Sequence, residues 1–376
     1  MKILLAGGGT GGHFYPLIAV ARSLKDLAER ERIVNLELTF ISDHPYDPEV
    51  LKEEEIRFIK VPAGKIRRYF SLLNFVDAMK TGWGVVRAVF LVYLNFPDVI
   101  FAKGGYASFP ALAAAKILGI PLMIHDSDII PGKVSLWAAR FARRIAISFP
   151  QTLKYFPSEK TALTGNPVRR QILGGNPEEA CELFNLEGGT DTILVLGGSQ
   201  GAQNLNNVVL DILPELLKSA QVIHQTGKNN LEEIKMQSGL VLENHPFAKR
   251  YHAYGFLDEG ELRNASKIAS LVLARAGGSS IFETAAWGLP SILIPLPHAA
   301  QDHQRENAYA YAREGAALVV EEQNMTPHIL LSEIDKILKD PERRAKMAKS
   351  AAAFARVDAA EKIAGEIIKL ALAHSQ

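Results

Sequence analysis

Lys2-Ile3-Leu4-Leu5-Ala6-Gly7-Gly8-Gly9-Thr10-Gly11-Gly12-His13 is the stretch that decides the fold. An apolar run over 2–6 enters a glycine-rich turn, and a helical apolar period follows over 17–28. A strand this apolar has to be covered on both faces, as in a parallel sheet. Glycines between a strand and a helix let the backbone approach a ligand closely. The helix behind them offers N–H groups and partial positive charge to an anion. Pro16 suits the start of that helix, where its missing N–H is not needed. Gly7-x-Gly9-x-x-Gly12 also satisfies the dinucleotide fingerprint, with Asp43 near the end of the next strand as a candidate ribose ligand. A tight turn with no ligand would use the same glycines.

Working outward, strands are expected over 36–41, 99–102, 122–124 and 144–147. Helices are expected over 50–55, 73–94, 111–118 and 134–141. Alternation of this kind builds βαβ units and a doubly wound sheet. Gly165-Asn166-Pro167, Gly174-Gly175-Asn176-Pro177 and Gly188-Gly189 then punctuate the chain, which marks a linker. The alternation restarts with a strand over 192–196 and a helix over 204–218, followed by strands over 222–225, 271–274, 291–294 and 317–320. The tail over 341–373 reads as two helices with no strand between them.

A second glycine loop, Gly197-Gly198-Ser199-Gln200-Gly201-Ala202, occupies the same place in the second half. Two such loops, one per domain, suggest ligands held in a cleft between domains. A third, Ala276-Gly277-Gly278-Ser279-Ser280, opens a helix that carries Glu283 one turn on. Ser279 or Ser280 could cap that helix, whose N–H groups suit a phosphate. Glu283 has two acceptor oxygens for two vicinal ribose hydroxyls, or it is a capping-box partner.

The 376 residues suffice for two domains, with 48% hydrophobic and 22% charged residues. Forty-two basic against 41 acidic residues leave a net charge of +1, so no nucleic-acid partner is expected. The one cysteine, Cys181, excludes an internal disulfide and fits a reducing cytosol. The run at 1–6 is too short for a secretory signal, and the most apolar window, 85–96, is interrupted by Arg87 and Asn95, so no spanning helix is expected.

Five motifs then occur in order: Gly8-Gly9-Thr10-Gly11-Gly12-His13, Gly104-Gly105-Tyr106, Gly165-Asn166-Pro167-Val168-Arg169, Gly197-Gly198-Ser199-Gln200-Gly201-Ala202 and Asp302-His303-Gln304-x-x-Asn307-Ala308. In this order the chain closely resembles the MurG family of peptidoglycan glycosyltransferases, from its first strand to its last helices. That family moves N-acetylglucosamine from UDP-GlcNAc onto lipid I, undecaprenyl-pyrophosphoryl-MurNAc-peptide, to make lipid II. The resemblance implies the α/β GT-B architecture, two Rossmann-like domains with parallel sheets facing a cleft. It implies an acceptor-binding domain over 1–165, a donor-binding domain over 166–355, and a last helix at about 356–376 that packs back on the first. It also implies an inverting reaction with no cofactor and no metal.

Residue by residue, the resemblance places Ser199 and its loop at the donor diphosphate, Leu257 backbone at the uracil, and Glu283 on the ribose. Gln304 would bond the sugar hydroxyls, Arg169 would face the donor across the cleft, and Thr10, Gly11, Gly12, Gly278, Ser279 and Ser280 would line the substrates. On residue type alone, Arg169 reads as a solvated linker arginine and Gln304 as a helix-surface residue. Tyr106 would position the acceptor. His13 can accept the proton of an attacking hydroxyl, or position the acceptor. Asp126 is a rival base. His125-Asp126-Ser127-Asp128 departs from the pattern, since many members have Glu and Asn where Asp126 and Asp128 stand. Asp128 lacks amide donors, so a sugar contact made by Asn would change. Asp-x-Asp is also a metal motif of another glycosyltransferase fold, which the positive charge offered by helix N-termini and Arg169 makes unnecessary here.

The acceptor's polyprenyl chain implies a peripheral enzyme on the cytoplasmic face of the plasma membrane. Ile66, Tyr69, Phe70, Leu73 and Val76 fall at helical spacing, bordered by Lys60, Lys65, Arg67, Arg68 and Lys80. Residues 65–80 therefore suit an anionic surface, although a core-facing helix with a solvated charged side would look the same. The alternatives are a related GT-B transferase with another lipid or small acceptor, an NAD-dependent oxidoreductase resting on the first glycine loop, and a non-catalytic nucleotide-sugar module that would not need His13.

Overall fold

The computed structural model describes residues 1–64, 72–198, 201–297 and 299–374. The chain forms two compact units: Met1–Val168 with Arg356–Gln376, and Arg169–Ala355.

The first unit runs β1 (Lys2–Ala6), α1 (Gly11–Arg30), β2 (Glu37–Ser42), α2 (Pro48–Glu53), β3 (Arg57–Lys60), α3 (Leu72–Asn95), β4 (Val99–Ala102), α4 (Phe109–Leu118), β5 (Leu122–Asp126), α5 (Lys133–Ala138), β6 (Arg144–Ile147) and β7 (Thr161–Leu163). The sheet is parallel throughout, in the order β3-β2-β1-β4-β5-β6-β7. Its central strands are buried on both faces, as their apolar runs require. The unit extends past 165, the expected boundary, so Asn166, Pro167 and Val168 belong to it as well.

The second unit runs α6 (Pro177–Phe184), β8 (Asp191–Leu196), α7 (Gln203–Leu216), β9 (Ala220–Gln225), α8 (Leu231–Val241), β10 (Tyr251–Tyr254), α9 (Glu259–Ile268), β11 (Ala269–Ala274), α10 (Gly278–Trp287), β12 (Ser291–Leu293), α11 (His303–Arg313), β13 (Ala317–Val319), α12 (Pro327–Leu338) and α13 (Pro341–Phe354). Its parallel sheet has the order β10-β9-β8-β11-β12-β13. The chain then rejoins the first unit as α14 (Ala359–His374), whose Ile363, Ile367 and Ile368 are buried in one cluster with Ile18 and Leu24 of α1. Arg30–Glu361 and Arg144–Glu366 pairs edge that contact.

One local expectation is corrected. The helix after the first glycine loop begins at Gly11, not near Pro16, so His13 lies in its first turn. Thr10 is the N-cap, extended at φ −151°, and its carbonyl accepts from the N–H groups of His13 and Phe14. Glycines fit the tight turn but tolerate a helix start equally well, which hid the true boundary.

Candidate active site

In an open parallel sheet, ligands bind outside the carboxyl ends of the strands where the strand order reverses. In the first unit that point lies between β1 and β4. The loop after β1 holds Gly8 at φ +139°, and a Cβ there would lie 2.2 Å from Ser42 Oγ. Only glycine fits, because both the backbone angle and the close approach exclude a side chain. His13 projects from the start of α1 and is half-buried, with Nδ1 3.0 Å from Thr10 Oγ1. That contact orients the ring. The loop after β4 packs against the same ring: a Cβ on Gly105 would sit 3.4 Å from His13 Nε2. The next residue, Tyr106, donates its hydroxyl to Asp43 Oδ2 at 3.0 Å. Burial, and then the Asp43 carboxylate, push the phenol up to about 12, so it remains a protonated donor at neutral pH. Asp43 also accepts from Ser42 Oγ and lies 2.9 Å from His44 Nδ1. Its carboxylate is therefore engaged within its own unit, beside Tyr106.

Asp126 ends β5 and is buried. Its two oxygens accept from the backbone N–H groups of Asp128 (3.2 Å) and Gly132 (3.3 Å). Burial, reinforced by the charge of Asp128, raises its carboxyl to about 6. The expected rival base thus also pins a loop. His125 is fully buried, with Nε2 2.9 Å from the Gly165 carbonyl. Burial, and then Lys103, hold its pKa well below the usual range, so it is neutral.

Sequence reasoning missed Lys103, the residue after β4. It is only 2% exposed, and its Nζ bonds Asn166 Oδ1 at 2.9 Å and Ser127 Oγ. Its signal was present as a lysine directly against an apolar strand and a glycine pair, where a charge is out of pattern.

In the second unit the strand order reverses between β8 and β11. The second and third glycine loops follow these two strands. Ser199 and Gln200 lie outside the described residues. At Gly201, φ is +78° and a Cβ would lie 2.7 Å from the Thr226 carbonyl oxygen, so the turn demands glycine. The third loop leads into α10 with Gly277 as N-cap and Gly278 as first residue. Neither Ser279 nor Ser280 caps it, because both lie inside the helix and no side-chain cap bond forms. Glu283 sits deeper than the third helical position, so it is not a capping-box partner either.

Glu283 Oε1 instead accepts from Arg169 Nη2 at 2.9 Å and Nε at 3.3 Å. Arg169 Nη1 lies 3.5 Å from Glu259 Oε1 at the start of α9. Arg169 is 4% exposed. It is no solvated linker residue but a buried guanidinium between two carboxylates of its own unit, which sequence spacing could not reveal. Leu257 is fully buried and its N–H already donates to Gln225 Oε1 at 3.0 Å, which leaves its carbonyl as the group to offer a base. Gln304, in the first turn of α11, accepts from Leu296 N–H through Oε1 at 2.9 Å. Asn307 Nδ2 donates to the Ala276 carbonyl at 3.3 Å and ties α11 to the third glycine loop. Gln301 and Asp302, just before α11, both have φ +57°, a strained pair that aims the helix.

Among the described residues, no cluster of three or more His, Cys, Asp or Glu side chains could hold a metal ion, and no helix is long and apolar enough to cross a membrane. Of the expected membrane segment, 65–71 lies outside the described residues. Farther along α3, Phe75, Met79, Trp83, Val86, Phe90 and Tyr93 are each more than half exposed and follow one helical face. Ala88 and Val92 face the core instead.

Residues 3–147 match the N-terminal domain of glycosyltransferase family 28, and residues 192–363 match its C-terminal domain. The chain is 35% identical over 371 residues to the UDP-N-acetylglucosamine–N-acetylmuramyl-(pentapeptide) pyrophosphoryl-undecaprenol N-acetylglucosamine transferase of Treponema denticola, covering 94% of this chain and 93% of that one. It is 36% identical to the transferase of the same name from Geobacter metallireducens, covering 98% of both. Among solved structures, Acinetobacter baumannii MurG is similar with a TM-score of 0.72 and 24% identity, over 98% of this chain and 99% of that one.

Proposed function

The chain belongs to glycosyltransferase family 28, and from that membership we propose that it transfers GlcNAc from UDP-GlcNAc to lipid I, forming lipid II in peptidoglycan biosynthesis. It is an α/β enzyme of two Rossmann-like units. The observation that carries the reading is a glycine loop followed by a helix N-terminus at the strand-order reversal of each sheet. A dehydrogenase needs one such loop; a nucleotide-sugar donor and a diphosphate-linked acceptor can use both.

In the proposed reaction the acceptor hydroxyl attacks the anomeric carbon opposite the leaving group. A new C–O bond forms, the bond from carbon to the phosphate oxygen breaks, and its electron pair leaves with UDP. The configuration inverts once. His13, oriented by Thr10, takes the hydroxyl proton, and Tyr106 helps to position the acceptor. In the second unit Glu283 takes the ribose hydroxyls and Gln304 the sugar, with the backbone of Leu257 at the base. The N-terminal ends of α7 and α10 offset charge developing on the diphosphate, together with Ser199 and its loop. Thr10, Gly11, Gly12, Gly278, Ser279 and Ser280 line the two substrate sites, and Asp128 stands by the sugar. Arg169, held between Glu259 and Glu283, is the cation of the donor site.

The apolar stripe of α3 supports a peripheral seat on an anionic membrane surface, at the cytoplasmic face where the lipid-linked acceptor is met. The test is transfer of labelled GlcNAc from UDP-GlcNAc to a lipid I analogue. A labelled lipid II analogue is expected. Transfer only to other acceptors would favour a related transferase. Thermal stabilisation by NADH with none by UDP would overturn the donor assignment.

A further inference from the structure

Lys103 is a buried cation that the proposed reaction leaves unused. Burying an ammonium is costly unless it is paired and hydrogen-bonded, and an apolar side chain of similar length would fill the space without that cost. The ammonium nevertheless sits at the carboxyl edge of the first sheet, where ligands bind. It bonds Ser127, after β5, and Asn166, after β7. One side chain therefore ties together the ends of three strands, β4, β5 and β7. Ser127 stands between Asp126 and Asp128, whose carboxylates favour the charged ammonium. His125, which is titratable as well, feels this charge and is neutral. Two carboxylates in one short turn repel each other, which favours the protonated form of the buried Asp126.

We propose that Lys103 is a positioning residue for the transfer reaction: bonded to Ser127 and Asn166, it fixes the Asp126-Ser127-Asp128 turn at the carboxyl edge of the first sheet. The inference rests on the function proposed above. Lys103 acts through Asp126 and Asp128 and not on substrate. Burial lowers its ammonium to about 8 and raises Asp126 to about 6. The working charge state therefore fails below about 6, where Asp126 protonates, and above about 8, where Lys103 deprotonates.

The experiment is the pH dependence of kcat for transfer to a lipid I analogue, with wild type, Lys103→Met and Lys103→Arg. In wild type both limbs should appear, the alkaline one set by Lys103 and the acid one shared by Asp126 with the proposed base His13. Lys103→Met should lower kcat near neutrality by about 10²-fold, the usual loss from a misplaced group at a reacting centre. Its acid limb should move up and its alkaline limb should vanish. The KM for UDP-GlcNAc should stay close to wild type, because the proposed donor contacts lie mainly in the second unit. Lys103→Arg should keep the acid limb and lose the alkaline one, since a guanidinium does not titrate there. A folded Lys103→Met with unchanged kcat, or with lower kcat and unmoved limbs, would overturn the inference while the function stands. Should Lys103→Met fail to fold, an alkaline limb absent from wild type, or unmoved by Lys103→Arg, overturns it equally. A wild-type chain inactive toward every lipid I analogue overturns the function and this inference together.

Discussion

The loop after β1 leads into the first turn of α1, which carries His13, and across the strand-order reversal the loop after β4 presents Lys103 and Tyr106. The corresponding loops of the second unit, after β8 and β11, present glycines and helix starts, and the buried Arg169 of that unit, which precedes α6, is held by two glutamates. The same parallel topology thus carries titratable groups in one unit and mostly fixed dipoles and an untitratable cation in the other. In the first unit the phenol, the ammonium and the Asp126 carboxyl are all displaced from their ordinary ranges by burial. Proton chemistry needs groups that can change charge, whereas holding a diphosphate needs charge that stays put. The difference teaches that the fold supplies the location and the loops supply the task.

The comparison breaks most sharply at His13. His13→Ala should lower kcat by about 10²–10⁴-fold, the range of general base catalysis, with a much smaller change in UDP-GlcNAc affinity. Asp126→Asn is the matched control. If Asp126→Asn abolishes turnover while His13→Ala only raises the acceptor KM, the two roles exchange, although both stay in the first unit.

Glu283→Ala tests the other side. UDP and UDP-GlcNAc binding should weaken together, by about tenfold or more for the loss of charge-assisted contacts. The folded state should also lose up to about 3 kcal/mol, because the buried Arg169 loses its shorter carboxylate contact. Calorimetric binding and thermal melts read both effects. Unchanged UDP affinity would leave Glu283 as a purely structural partner of Arg169.

On the surface of the first unit, Phe90→Glu should weaken binding to anionic vesicles by roughly tenfold, from the loss of one buried aromatic ring. UDP-induced stabilisation should be unaltered. Equal vesicle binding by wild type and variant would remove α3 from the membrane contact. The smallest effect is expected from chelation: turnover with and without EDTA should agree, because fixed dipoles and Arg169 are proposed to hold the diphosphate charge. A loss restored by magnesium would place that charge on a metal instead.

Much of this was legible along the chain. Apolar runs located β1, β4 and β6 to the residue, since strands covered on both faces need apolar side chains at nearly every position. The short strands β3, β7 and β10 escaped notice. They lie at sheet edges, their residues are half-buried or exposed, and their composition is correspondingly mixed. The starts of α1 and α10 were displaced or miscapped in the sequence reading because glycine-rich turns carry little boundary information.

By itself the sequence determined the two αβ halves, the glycine loops and the ordered motifs that place the chain in its family, because these depend on local periodicity and on residues that no substitute can mimic. Tertiary structure alone decided the partners of Arg169, Lys103 and Asp126. Glu283 and Arg169 stand far apart in the chain, as do Lys103 and Asn166, and only the folding of each sheet brings them within hydrogen-bond reach. A side chain's charge state follows from what is buried around it, and burial is a property of the packed fold that no single stretch of sequence contains.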